Sequence, residues 1–181
     1  MNLPNKLTLL RIFMIPVFVA VFYITAIPGN YVISAVIFAL ASATDFLDGY
    51  IARKYNMVTD FGKFLDPIAD KVLVSTALIL LMVGLPWYSA IMVALIMARE
   101  LLISGFRLVA AGKGLVIAAD KSGKIKTFFT DVTIVVILIA FQVGAYWLYV
   151  TGIVMLGIST LLTIVSGAEC LIKNKKVISS K

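Results

Sequence analysis

Three long blocks of this sequence, residues 12–44, 72–98 and 132–168, contain no Asp, Glu, Lys or Arg. They are 33, 27 and 37 residues long. A helix crosses the hydrocarbon core of a bilayer in about 20 apolar residues. Each block is broken near its middle: Ile27-Pro28-Gly29-Asn30 in the first, Gly84-Leu85-Pro86-Trp87 in the second, and a softer break from Gln142 to Thr151 in the third. Such Gly and Pro clusters mark turns. Each block therefore reads as an out-and-back pair of helices joined by an uncharged turn. Composition agrees, with 62% hydrophobic and 14% charged residues, against about 45–50% and about 25% in a soluble domain. The expectation is an all-α integral membrane protein forming a single domain over residues 1–181. Its roughly six spans fall near 8–27, 31–53, 61–83, 87–111, 125–145 and 149–172, preceded by a short interfacial helix from Met1 to Arg11.

Every Lys and Arg lies in the N-terminal lead, in 53–71, in 99–126 or in the tail from Lys173. None lies in the three outer turns, which instead carry Tyr31, Trp87, Tyr88, Tyr146, Trp147 and Tyr149. The positive-inside rule puts the basic regions and both termini in the cytoplasm, with the aromatics at the opposite interface. The net charge of +7 is thus explained by membrane orientation and a phosphorylated substrate, and calls for no nucleic acid. No signal-peptide cleavage pattern is evident. The single cysteine, Cys170, excludes an internal disulfide, and the absence of histidine leaves general acid–base work to Asp, Glu, Lys or Tyr.

The second uncharged block is too short for two crossings, so its helices must include charged residues at their cytoplasmic ends. A helix starting near Phe61 carries Asp66 and Asp70 about 7 and 13 Å along its axis. Carboxylates at that depth face a bundle interior or a wet cavity. Residues 45–70 read D-x2-D-G-x2-A-R-x8-G-x3-D-x3-D. Asp45, Asp48 and Ala52 share one helix face; Gly62, Asp66 and Asp70 share a face of the next. Four carboxylates that converge from neighbouring antiparallel helices oppose one another's ionisation unless cations neutralise them. Hard divalent ions with oxygen ligands, Mg²⁺ or Mn²⁺, suit such a site and suit phosphoryl chemistry. Gly49, Ala52 and Gly62 beside the same faces would admit a bulky ligand close to the backbone. The plainer alternative is a set of helix-end carboxylates paired with Arg53, Lys54, Lys63 and Lys71.

This spacing matches the signature of the CDP-alcohol phosphotransferases, and the chain resembles that family over most of its length. The resemblance implies a six-helix fold, usually a homodimer, in the cytoplasmic membrane of a bacterium, with the site facing the cytosol. It implies that Asp45, Asp48 and Asp66 bind two metal ions, and that Asp70 is both a ligand and the general base. It also implies that Gly49, Ala52, Arg53, Thr59 and Gly62 contact the CDP-lipid. The start, Leu3-Pro4-Asn5-Lys6-Leu7-Thr8-Leu9-Leu10-Arg11, resembles the bacterial members that use glycerol 3-phosphate, and Asn5 and Thr8, three residues apart, could reach the nucleotide phosphates. So does the stretch running from Arg99-Glu100-Leu101 through Gly105-Phe106-Arg107 to Lys121-Ser122-Gly123-Lys124-Ile125-Lys126-Thr127. Physically that stretch is a basic cluster beside an acidic site, and Arg107, Lys124 and Lys126 are the expected ligands of an acceptor phosphate.

The expected reaction joins CDP-diacylglycerol to sn-glycerol 3-phosphate. Inositol phosphate, serine and phosphatidylglycerol are the alternative acceptors. A cation- or proton-coupled transporter is a rival reading, since intramembrane carboxylates occur there too. Transporters, however, place charges near the midplane, whereas here all charges lie toward one side. Glu169–Lys173 and Asp120–Lys124 read as ordinary i, i+4 pairs, and Asp131 as the partner of a basic residue. No clean face of small residues emerges from Gly144, Gly152 and Gly157.

Overall fold

The computed structural model describes residues 3–54, 60–113, 115, 117 and 121–175, and leaves the side chains of 3–4, 46–54, 60–64, 66–67 and 121 outside that description. Six helices account for nearly all of it: α1 Leu3–Tyr23, α2 Asn30–Lys54, α3 Asp60–Leu81, α4 Ser89–Gly112, α5 Lys121–Val143 and α6 Tyr146–Lys173. The expected spans match these within a few residues at most ends. Among the described residues, α1, α4, α5 and α6 are long and apolar enough to cross a membrane. In α2, the described side chains form a shorter apolar stretch, Asn30–Asp45. From Leu3 onward, the residues expected to form the interfacial lead are continuous with α1, which runs unbroken past Arg11.

The turns that pair the helices lie where the sequence signals them. Gly29 and Gly144 take positive φ (78° and 67°), a conformation glycine adopts without Cβ strain. The outer turns are tied to one another by polar bonds. Asn30 Nδ2 donates to the Phe22 carbonyl at 2.9 Å, the Tyr31 N–H to Gln142 Oε1 at 3.3 Å, and the Tyr149 hydroxyl to the Gly84 carbonyl at 3.0 Å. Around them Phe22, Tyr31 and Phe141 stack edge-on, with ring centroids 5.3 and 5.6 Å apart.

Helix α1 packs on α2 and α3, α2 and α6 flank α5, and α4 meets the rest chiefly through α6. Phe18, Phe38, Leu73, Leu78, Ile137, Leu138 and Leu156 are buried where these helices meet. Phe13, Leu101, Leu102, Leu108, Phe128 and Leu161 point outward and are exposed. Buried hydroxyls facing in and leucines facing out are the polarity of a lipid-bathed bundle.

The inner face of α6 is built from Gly152, Leu156, Ser159, Thr160, Thr163, Ser166, Gly167 and Cys170. This corrects the expectation from sequence. A small-residue face exists, but it is made mostly of Ser and Thr rather than Gly. It lets neighbouring helices approach closely: a Cβ on Gly152 would lie 2.7 Å from Ile137 Cγ1 of α5. Gly152→Leu is therefore expected to lower stability by about 1–3 kcal/mol through overpacking. Ile137→Ala in the same chain should restore part of the loss. Thermal unfolding in detergent micelles measures both.

Candidate active site

Of the four aspartates in the motif, Asp45 and Asp70 have described side chains. Asp48 on α2 and Asp66 on α3 lie outside the described side chains, as do Gly49, Ala52 and Arg53 on α2 and Gly62 on α3; Thr59 lies outside the described residues altogether. Asp45 pairs with Arg11 of α1, whose Nη1 donates to Asp45 Oδ1 at 2.7 Å. Arg11 is wholly buried at 0% exposure, and Asn5 and Thr8 of the same helix face are buried as well. Asn5 and Thr8 thus face the interior of the bundle.

Asp70 lines a recess between α3, α4 and α5 together with Lys71, Ser75, Glu100, Lys126, Thr127 and Thr130. Apolar walls come from Val74, Leu78, Ile96 and Met97. Lys126 is buried and pairs with Glu100 Oε1, which also accepts from Arg99 Nη1 at 3.2 Å. Lys71 donates to the Ser104 hydroxyl, which in turn donates to the Glu100 carbonyl at 2.5 Å. Two lysines and two carboxylates therefore converge on one small recess, each cation held by a partner on another helix or another turn.

Two of the three expected phosphate ligands, Lys124 and Lys126, differ in exposure. Lys126 enters the recess, whereas Lys124, two residues away on α5, is exposed. A spacing of two places side chains on opposite sides of a helix. Arg107 has a buried Nε with no hydrogen-bond partner among the described residues. A guanidinium N–H buried without an acceptor is costly, and an incoming anion would satisfy it. Asp131 accepts a hydrogen bond from a hydroxyl, Ser42 Oγ to Asp131 Oδ2 at 2.7 Å, and the positive charge of Lys126 acts on it through space. Glu169 and Lys173 pair as expected, at 2.5 Å.

Sequence reasoning missed Arg11, Lys71 and Glu100 as members of the site. For Arg11 the signal was present. Asn5, Thr8 and Arg11 recur at three-residue intervals, in line with the buried Ile15, Phe18 and Phe22.

Arg99 joins the recess to α6. Its Nε donates to the Thr163 carbonyl at 3.1 Å and its Nη2 to Ser166 Oγ at 2.9 Å. Gly167 leaves the room for this, since a Cβ there would lie 3.0 Å from Arg99 Cγ. Through Glu100, the same guanidinium fixes the carboxylate that holds Lys126.

As donors, the motif offers carboxylate oxygens alone, with no imidazole in the chain and its one thiol, Cys170, buried on α6. That chemistry fits a hard divalent cation.

The model of the CDP-alcohol phosphatidyltransferase family matches residues 1–165. The CDP-diacylglycerol–glycerol-3-phosphate 3-phosphatidyltransferase of Bacillus subtilis (strain 168) is 42% identical, over 96% of this chain and 95% of its own. The protein of the same name from Rickettsia felis is 41% identical, over 92% and 91%. A probable phosphatidylglycerophosphate synthase of Mycobacterium tuberculosis is 43% identical, over 93% of this chain and 79% of its own.

Arg99→Lys keeps the charge but loses the planar fork. It is expected to destabilise the protein by about 1–3 kcal/mol, read as a lower unfolding midpoint in detergent.

Proposed function

This chain belongs to the CDP-alcohol phosphatidyltransferase family, and from that premise we propose that it transfers the phosphatidyl group of CDP-diacylglycerol to sn-glycerol 3-phosphate. The products are phosphatidylglycerol phosphate and CMP. Similarity to enzymes named for this reaction, over more than nine-tenths of the chain, is the observation that carries the choice of acceptor. The recess supports it, because a phosphorylated acceptor needs cations and Lys71 and Lys126 stand beside Asp70.

In the proposed reaction Asp70 takes the proton from the primary hydroxyl of glycerol 3-phosphate. The oxygen attacks the lipid-side phosphorus, and the bond to CMP breaks. Lys126 and Arg107 hold the acceptor phosphate with charge-assisted hydrogen bonds. Lys124, being exposed, adds only general positive potential. Asp45, Asp48, Asp66 and Asp70 would hold two Mg²⁺ or Mn²⁺ ions, which neutralise charge on the pyrophosphate when bound. Gly49, Ala52, Arg53, Thr59 and Gly62 serve the CDP-lipid, with Asn5 and Thr8 supporting that pocket from within α1. The walls of the recess align the reactants.

The topology we propose has all six helices crossing the bacterial cytoplasmic membrane as one domain. Both termini and the site lie on the cytosolic side, where the basic residues gather. The protein would act as a homodimer. The outer halves of the helices carry no charge, which supports an enzyme at one interface over a transporter with a midplane site.

The direct test is CMP release by the purified protein with CDP-diacylglycerol, Mg²⁺ or Mn²⁺, and each acceptor in turn. Release is expected only with metal and glycerol 3-phosphate. Faster release with inositol phosphate, serine or phosphatidylglycerol would reassign the acceptor.

Asp70→Asn should lower turnover by about 10²–10⁴-fold, with CDP-diacylglycerol binding within a few-fold of wild type by equilibrium titration. Arg107→Met and Lys126→Met should each raise the KM for glycerol 3-phosphate about tenfold or more, with a smaller effect on the KM for CDP-diacylglycerol.

A further inference from the structure

Arg11 carries a permanent charge into a fully buried position, at 0% exposure. A guanidinium so placed is stable only where acceptors fill its fork. Among the described residues, its acceptors include three in one turn of α2. Nε donates to the Ala41 carbonyl at 3.2 Å and to Thr44 Oγ1 at 3.4 Å, and Nη1 donates to Asp45 Oδ1 at 2.7 Å. The Thr44 hydroxyl donates to the same Ala41 carbonyl at 2.7 Å, which closes the group. Arg11 thus grips the backbone turn as well as the carboxylate it ends in. The Asp45 side chain nevertheless remains 42% exposed. One of its oxygens is committed to a buried cation while part of the carboxylate stays open to a ligand.

We propose that Arg11 is a positioning residue that sets the divalent-cation affinity of the site by fixing the Asp45 carboxylate before the ion arrives. The proposal rests on the reading of Asp45 as a metal ligand. Arg11 acts on a cation in two opposed ways. Its charge repels the ion, and its hydrogen bonds hold the ligand in place. Arg11→Lys separates the two effects. It keeps the charge but has no Nε to hold the Ala41 carbonyl and Thr44, so any change in affinity reports the grip. Partners that orient a metal ligand from behind are typically worth about 10–100-fold in metal affinity.

The test is Mn²⁺ binding to the full-length protein in detergent, with no lipid substrate and no turnover. Free Mn²⁺ is followed by electron paramagnetic resonance for wild type, Arg11→Lys, Thr44→Val and Asp45→Asn. The expected result is a Kd raised about tenfold in Arg11→Lys and a few-fold in Thr44→Val, with each protein eluting as one species in size-exclusion chromatography. A merely structural Arg11 would lower the unfolding midpoint and leave the Kd unchanged. Wild-type affinity in Arg11→Lys overturns the proposal. If Arg11→Lys does not fold, wild-type affinity in Thr44→Val overturns it. Mn²⁺ binding that is equally absent from wild type and Asp45→Asn overturns the four-carboxylate reading itself, and the proposal with it.

Discussion

A charge that enters an apolar bundle must bring its partner with it, because the surroundings offer no water to solvate it. This requirement organises the half of the structure that carries the charged residues. Arg11 of α1 is matched by a turn of α2, Lys126 of α5 by Glu100 of α4, and Asp131 of α5 by Ser42 of α2. Arg99 of α4 is matched by the backbone and a hydroxyl of α6. Each match crosses from one helix to another, so the same bonds that neutralise the charges also fix how the helices sit. Apolar contacts cannot supply that specificity, since lipid tails are as apolar as leucine.

The two ends of the bundle are built on different principles as a result. At the outer end, turns and aromatic rings are tied by neutral hydrogen bonds involving Asn30, Tyr31, Gln142 and Tyr149. At the inner end the bonds are largely ionic and surround the recess beside Asp70. Ion pairs in a low-dielectric setting are strong when intact and costly when broken, so this end holds its charged groups firmly only while every partner is present. The proposed phosphorylated acceptor would introduce new anions among these cations. That makes the recess the place where ligand charge and protein charge must be balanced together.

Much of the architecture was legible in the sequence because it follows from one-dimensional patterns. Uncharged blocks and turn residues locate six helices, and Gly29 and Gly144 adopt the backbone that turns of this kind need. The aspartate spacing puts the motif on two helices, of which Asp45 and Asp70 have described side chains. Partners across helices were not legible. Arg11 and Asp45 are 34 residues apart, and Ser42 and Asp131 are 89 apart. Finding such pairs requires the rotation of each helix about its axis, and helices that are apolar on every side reveal that rotation poorly. Arg11 lay within reach through its spacing from Asn5 and Thr8, but Glu100 and the hydroxyl face of α6 did not. Lys124 and Lys126 show the converse error. Neighbours in a basic run look like one cluster, yet two residues of helix send them to opposite sides.

The contact between Gly167 and Arg99 bears on how this sequence can drift over generations. A Cβ at position 167 would press on the Arg99 stem at 3.0 Å, so the stem would have to give by a few tenths of an ångström, while Arg99 in turn occupies the groove that the missing side chain leaves. A change at 167 is easier once 99 has become smaller, and a smaller residue at 99 takes one partner from Glu100 and one from Ser166. Replacements at the two positions are therefore coupled. What a lineage can accept at one depends on what already stands at the other.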